Sequence, residues 1–222
     1  MSAALGLKDP TSSQCCNGTM DVAPRTTAVP LLLTSRLRLV AADEQLAEAL
    51  ADFHASNRAH LAPWDPPTSE DFFTAPVQAQ RLREAAAAFA AGTGYRYLLQ
   101  PIGDSARVIG SIHFSNVVRG AFQSCTLGYA LDQSLEGQAL MTEALRVAIA
   151  EMFSRRVNLH RIQAAFRPEN WRSGEVLKRL GFEDEGVAPD YLFIDGMWRV
   201  HRITALHNKN FVPPDAWENA AR

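Results

Sequence analysis

Cysteine is scarce in this chain. Its 222 residues hold only three, Cys15 and Cys16 side by side and Cys125 far downstream. That number and spacing exclude a disulfide framework and the familiar zinc patterns, and place the protein in a reducing, cytoplasmic compartment. A basic stripe is also missing: the net charge is −2 and the charges are dispersed, which argues against a nucleic-acid partner. Long apolar runs are absent. The longest near the start, residues 29–33, is broken by Pro30 and followed by Ser35, Arg36 and Arg38, too short for a signal sequence or a membrane span. The six histidines, at 54, 60, 113, 160, 201 and 207, follow no ligand spacing, so no metal is expected. Neither a phosphate-binding G-x-x-x-x-G-K-[ST] nor a dinucleotide G-x-G-x-x-G is present. Ser105, in Gly-Asp-Ser-Ala-Arg, is no nucleophile elbow. Cys125, within a predicted strand, reads as a small buried side chain rather than a thiol catalyst.

What is present fits one domain: 47% of the residues are hydrophobic, ample for a buried core at this length. Residues 1–30 are rich in Ser, Thr, Pro, Ala and Gly without periodicity and read as a flexible extension, within which Met20 could be an alternative start. The domain is expected over 31–207 and a C-terminal tail over 208–222. Leu37, Leu39 and Ala41 alternate as in a strand, and Asp43 can cap a helix with Leu46, Leu50 and Phe53 on its apolar face. A second helix starts near Pro76 and stops at Gly92. Residues 95–99, 107–114 and 122–131 read as a consecutive antiparallel meander. The chain then alternates. Leu140, Met141, Leu145, Ala148, Ile149 and Met152 share a helical face, 160–166 reads as a strand, and Ser173, Val176, Leu177 and Leu180 form a further stripe ended by Gly181. Residues 191–194 and 197–203 flank Asp195-Gly196, a two-residue hairpin turn. The order predicts an α/β fold around one mixed sheet: a β-meander, then βαβα, then a hairpin.

The most informative window is Leu127-Gly128-Tyr129-Ala130-Leu131, followed by Asp132-Gln133-Ser134-Leu135-Glu136-Gly137-Gln138-Ala139-Leu140. A strand runs through a loop of small residues into a helix, aiming free N–H groups and the positive end of the helix dipole at one point. That suits a pyrophosphate, with Gly137 and Ala139 allowing close approach. Taken alone, Gly-x-Ala at a helix start is equally an ordinary tight turn.

This window resembles the coenzyme A pyrophosphate loop of the GNAT acetyltransferases, of the form [Q/R]-x-x-G-x-[G/A]. Gly137 and Ala139 match, and Ser134 stands where Gln or Arg is usual. Leu159-His160-Arg161-Ile162, Arg167-Pro168-Glu169-Asn170, Arg172-Ser173-Gly174 and Val176-Leu177-Lys178-Arg179-Leu180-Gly181-Phe182 follow in the order typical of the RimJ/RimL branch. Thr34-Ser35-Arg36-Leu37, Asn57, Pro63-Trp64 and Val118-Arg119-Gly120-Ala121-Phe122-Gln123 extend the likeness upstream.

The resemblance implies a GNAT fold and acetyl transfer from acetyl-CoA to a primary amine by direct attack, the acceptor being the N-terminal α-amine of a protein, ribosomal ones included. A small amine, amino acid or antibiotic is the alternative acceptor, and a non-catalytic acetyl-CoA sensor or scaffold is the alternative of another class. It further implies that Gly128, Tyr129, Ala130 and Leu131 pair with the pantetheine arm, that Gly137, Gln138, Ala139 and Leu140 cradle the phosphates, and that Asn170 and Ser173 bond the arm. Helix capping is the competing role for that last pair. Glu185 matches a glutamate proposed as base in the RimL type. The tyrosine acid of many GNAT enzymes is replaced here by Leu177, leaving Tyr191 as a candidate donor. Asn57, Trp64, Asn116 and Arg119, from the early loop and the meander, are the expected amine-site residues. Membrane and nucleic-acid partners are not expected.

Overall fold

The computed structural model describes residues 31–214 and Trp217. The expected extension at 1–30, Met20 included, lies outside the described residues, as do 215–216 and 218–222 of the expected tail.

Alternation sets the first strands. In β2 (Leu37–Ala41), Leu37 and Leu39 are buried on one side, and the strand pairs with the two-residue β1 (Leu32–Leu33). Asp43 accepts from the Gln45 N–H and starts a 3-10 turn that leads into α1 (Ala47–Ser56) and the single-turn α2 (Arg58–Leu61). Pro76 sits in the first turn of α3 (Ala75–Ala91), which ends at Gly92 in the left-handed region. The meander follows as β3 (Tyr95–Pro101), β4 (Gly110–Val118) and β5 (Ser124–Leu131). Then come α4 (Leu140–Phe153), β6 (Arg161–Phe166), α5 (Trp171–Arg179) and the hairpin β7 (Glu183–Ile194) and β8 (Met197–His207). All eight strands form one sheet in the order β1-β2-β3-β4-β5-β6-β8-β7, with β5 and β6 parallel and every other pair antiparallel. The expected mixed α/β architecture is the observed one.

Several boundaries differ from the sequence reading: β4, expected over 107–114, is Gly110–Val118, and β8, expected to end at 203, runs to His207. β7 begins at Glu183, well ahead of residue 191, because register shifts at Asp184/Gly186 and Ala188/Leu192 erase its period-2 alternation. The start of the tail is tied down: the buried Asn208 donates its N–H to the His160 carbonyl and its Nδ2 to the Leu159 carbonyl, and the Val212 N–H reaches Asn158 Oδ1.

The sheet separates two cores. Leu37, Leu39, Tyr97, Leu99, Ile112, Phe114 and Ile162 pack under α4 and α5 with Leu145, Ala148, Met152 and Leu177. Leu98, the strand neighbour of Tyr97 and Leu99, points the other way, into Leu50, Phe53 and Leu82 of α1 and α3. Side chains flanked by first-core residues therefore face α1 and α3. These include Arg96, between Tyr95 and Tyr97, and His113, between Ile112 and Phe114.

Acid should loosen this arrangement. Burial, then Arg96 and Arg81, lower His54 and His113 from 6.5 to about 4. In the unfolded chain these rings take up protons near their ordinary value, so between about pH 6.5 and 4 the unfolded state binds more protons and stability falls as pH falls. Glu143, lowered to about 2 by the Thr34 hydroxyl and by Arg36 and Ser35, extends the decline from 4.5 downward. The urea midpoint is expected to drop steadily from pH 7 to pH 4; a flat midpoint across that range contradicts the assignment.

Candidate active site

The chemistry-bearing window lies where the sheet comes apart. β5 and β6 pair over only four positions, Ser124 with Arg161, Cys125 with Ile162, Thr126 with Gln163 and Leu127 with Ala164. Beyond Leu127 the strands diverge. Gly128, Tyr129, Ala130 and Leu131 still pair with β4, through His113, Ile112, Ser111 and Gly110, but their other edge has no strand beside it. Ala165 and Phe166 of β6 pair only with β8. The result is a slot through the sheet, open to α4 and α5 on one face and to α1 and α3 on the other.

The start of α4 stands at this slot. Ala139 adopts a left-handed conformation at the N-cap with no side-chain cap, and Gly137 has φ +76°. Among the described residues no acceptor meets the N–H groups of Gly137, Gln138 and Ala139. A Cβ at Gly137 would meet nothing within 4 Å. Unsatisfied donors, the positive end of a 14-residue helix and open space coincide, the arrangement an anionic phosphate group requires.

The loop is held from behind. Arg36 donates Nη1 to the Gln138 carbonyl (3.1 Å) and Nε to Glu143 Oε2 (2.7 Å), and its backbone N–H donates to Glu143 Oε1 (3.1 Å). Ser134 donates its hydroxyl to Asp132 (2.7 Å), so the residue in the usual Gln/Arg position is spent inside the turn. Glu136 spans the slot's mouth, facing His60 of α2 at 3.4 Å and Arg172 of α5 at 3.8 Å.

On the α5 side, Asn170 caps the helix, its Oδ1 accepting the Ser173 N–H at 3.2 Å. The Ser173 Oγ lies 2.7 Å from the Tyr129 hydroxyl, which burial keeps protonated well above the usual tyrosine range. This bond fixes α5 against the bare edge of β5. Leu177, in the usual position of the tyrosine acid, is buried in the core.

On the opposite face, β6 carries a short polar row. The Gln163 Nε2 lies 3.5 Å from the Tyr191 hydroxyl, and the Tyr191 ring lies tilted at 5.2 Å from that of the buried His201. Two residues earlier, Arg161 forms an ion pair with Glu185, the extra residue of the first β7 bulge. Tyr191 thus stands nearer the open slot than Glu185 does. At the end of β6, Arg167 donates to the Pro63 carbonyl (2.6 Å) and lies over the Trp64 ring at 5.5 Å, bringing the proline-rich loop to the rim. The β7–β8 hairpin supplies the other rim through Pro189, Asp190 and Trp198.

Three expected amine-site residues are elsewhere or otherwise engaged. Asn57 is a brace: it is buried, its Nδ2 donates to the Phe53 carbonyl (2.9 Å) and its Oδ1 accepts the Gln133 N–H (2.9 Å), tying α1 to the loop before α4. Arg119 bonds the Val157 carbonyl (2.8 Å) and Gln123 (3.2 Å) at the end of β4 and β5 remote from the slot. Asn116, exposed at φ +51°, sits in the β4 bulge toward that same end, because the antiparallel turn carries the segment away. Conversely, Arg36, Glu136, Gln163 and Arg167 were given no site role by the sequence reading. Arg36, Glu136 and Arg167 lay in segments already quoted, and Gln163 alone carried no signal.

A strand pair splayed beside a donor-rich helix start is matched at family level. Residues 36–183 fit the acetyltransferase (GNAT) domain family. The chain belongs to the GNAT acetyltransferases. It is 43% identical over 183 residues to the ribosomal protein uS5-alanine N-acetyltransferase of Escherichia coli, covering 82% of this chain and 93% of that one. Among solved structures, the ribosomal-protein-S5-alanine acetyltransferase of Vibrio fischeri superposes with a TM-score of 0.79 at 33% identity, over 83% of this chain and all of that one (100%). Mycobacterium smegmatis RimJ, solved with a CoA-disulfide, gives 0.72 at 28% identity, over 83% of this chain and 88% of that one. This GNAT chain is therefore an N-acetyltransferase of RimJ/RimL type. No helix among its described residues is long and apolar enough to cross a membrane.

Proposed function

We propose that this acetyltransferase takes its acyl group from acetyl-CoA and delivers it to the N-terminal α-amine of a protein that starts with Ala or Ser, ribosomal proteins in the cytoplasm included. The observation that carries the reading is the slot, which puts a donor-lined edge within reach of both faces of the sheet. The relatives named for uS5 alanine, matched over nearly their whole length, support the acceptor.

The residues present fit the cofactor. The N–H groups of Gly137, Gln138, Ala139 and Leu140 would hold its pyrophosphate, the bare edge at 128–131 its pantetheine arm, and Asn170 and Ser173 its amides. When bound, it supplies an acyl group already activated as a thioester. The edge of β5 donates N–H groups to the acyl oxygen and so stabilises the charge that grows there. The acceptor enters from the α1/α3 face, beside Trp64 and the β7–β8 hairpin. Its α-amine, with an ordinary pKa of about 7.7 to 8, is partly neutral near pH 7.5, whereas a lysine at about 10.4 is not. Glu185 takes up the proton the amine loses, through water, and Tyr191 gives one to the departing sulfur. Holding the two reactants together contributes most of the rate.

Thiol release from acetyl-CoA is expected with free peptides starting in Ala or Ser, and not with N-terminally blocked copies. Turnover confined to small amines overturns the acceptor. Tyr191→Phe is expected to lower kcat by about 10²-fold with little change in the KM for acetyl-CoA, and Glu185→Gln to have a smaller effect. An unaltered kcat in Tyr191→Phe removes it from proton transfer.

A further inference from the structure

On the α1/α3 face, beside the slot, lies an arginine without a counter-charge. Arg96 pairs in register with His113, and His113 with Gly128, so the three form a row that ends on the bare edge of β5. Among the described residues the Arg96 guanidinium has no carboxylate partner, and its Nε is shielded from solvent with no hydrogen bond. Arg81 of α3 reaches the same place. It lies over the Phe72 ring at 5.1 Å, also without a carboxylate, and Phe72 in turn contacts His54 at 4.8 Å. Arg83 of the same helix, by contrast, faces Glu44, and Arg58 faces Glu70.

Burial, then Arg81, lower Arg96 to about 10, which leaves it charged at neutral pH. His54 and His113, lowered to about 4, are neutral there and offer hydrogen bonds rather than charge. A partly buried guanidinium left unpaired is costly, and an anion that arrives with a ligand removes that cost. The fold keeps two cations and two neutral imidazoles on the acceptor's side of the sheet with nothing of opposite sign among them.

We propose that Arg96, with Arg81, His54 and His113, forms an anion subsite that binds an acidic side chain of the acceptor peptide. The proposal rests on the α-amine reading above and adds a substrate preference to it. Arg96 stands two strand spacings, about 10 Å, from Gly128, and an extended peptide advances about 3.4 Å per residue. The side chain reaching the subsite is therefore at about position 3 or 4 of the acceptor, counting the acetylated residue as the first. The same charge disfavours a lysine or arginine at those positions.

The test uses Ala-starting hexapeptides carrying Glu, Gln or Lys in turn at positions 2 to 5, assayed with wild type, Arg96→Met, Arg96→Lys and Arg81→Gln. In wild type, Glu at position 3 or 4 is expected to raise kcat/KM over Gln by roughly 10-fold or more, through KM, with Lys below Gln. Arg96→Met should bring the Glu/Gln ratio near one and Arg96→Lys should restore part of it. Should Arg96→Met fail to fold, Arg81→Gln, at an exposed site on α3, decides: the ratio falls if the proposal holds and stays at the wild-type value if it does not. Turnover of Ala-starting peptides with a Glu/Gln ratio near one in wild type overturns the subsite alone. Failure of every free α-amine peptide overturns the acceptor reading and the subsite with it.

Discussion

Gly137→Glu is expected to raise the KM for acetyl-CoA by about 10²-fold or more while the protein remains folded. The backbone there has φ +76° and a Cβ meets nothing within 4 Å, so a side chain fits in space and the steric cost is the left-handed strain of about 1–2 kcal/mol. The carboxylate, however, would stand where the N–H groups of Gln138, Ala139 and Leu140 and the α4 dipole converge. Juxtaposed like charges cost several kcal/mol, and each 1.4 kcal/mol is tenfold in affinity. Gly137→Ala separates the two effects, since it carries the strain without the charge. Titration calorimetry with coenzyme A and urea melts of both variants make the measurement. A glutamate variant that binds as well as the alanine variant would show that the phosphates sit elsewhere.

Gly110→Ala should be the more damaging change to stability. An added Cβ would lie 2.5 Å from the Ala130 carbonyl oxygen and 2.9 Å from the Leu99 Cδ1. The first contact is backbone, on a strand held by β4, and cannot move aside as a side-chain tip would. Overpacking of this kind costs about 3 kcal/mol at the upper end of its usual range, which corresponds to a Tm lower by roughly 6–12 °C for a chain of this size. Because Ala130 lies on the slot's edge, activity should fall even at temperatures where the variant is folded. A Tm within about 2 °C of wild type, against that expected range, would mean that β4 and β5 separate there at little cost.

The start of α4 was legible because one short segment carries all of it: strand, small residues, then an apolar helical stripe from Leu140 to Met152. So were the meander and the Asp195-Gly196 turn, each fixed by neighbours in sequence. The length of β7 was not. Glu185 and the residues around Pro189 break the alternation that marks a strand, and only pairing with β8 reveals it. Asn116 and Arg119 carried the right chemistry at the wrong end of a hairpin, a matter of direction that composition cannot encode. Asn57 reads in sequence as a polar residue in a loop-like setting, and the Gln133 N–H that its buried side chain accepts lies far along the chain. Arg96 is legible as the one charge inside the Tyr95–Pro101 strand. Its neighbours His54 and His113 come together only through the sheet register.

A sheet this size has free margins, and a free margin invites another chain to add a strand. The outer ones are poor templates. β1 offers two residues, and β7 is bent by two irregularities and interrupted by Pro189, which has no N–H to give. The inner margin, 128–131, is different: it is held by β4 on one edge without irregularity, and its other edge has no strand beside it. It lies recessed between β6 and the Tyr129–Ser173 bond rather than on the rim. The protein can therefore keep one unguarded row of donors for its ligand without offering that row to a second copy of itself, and self-association through the site is guarded against by depth instead of charge.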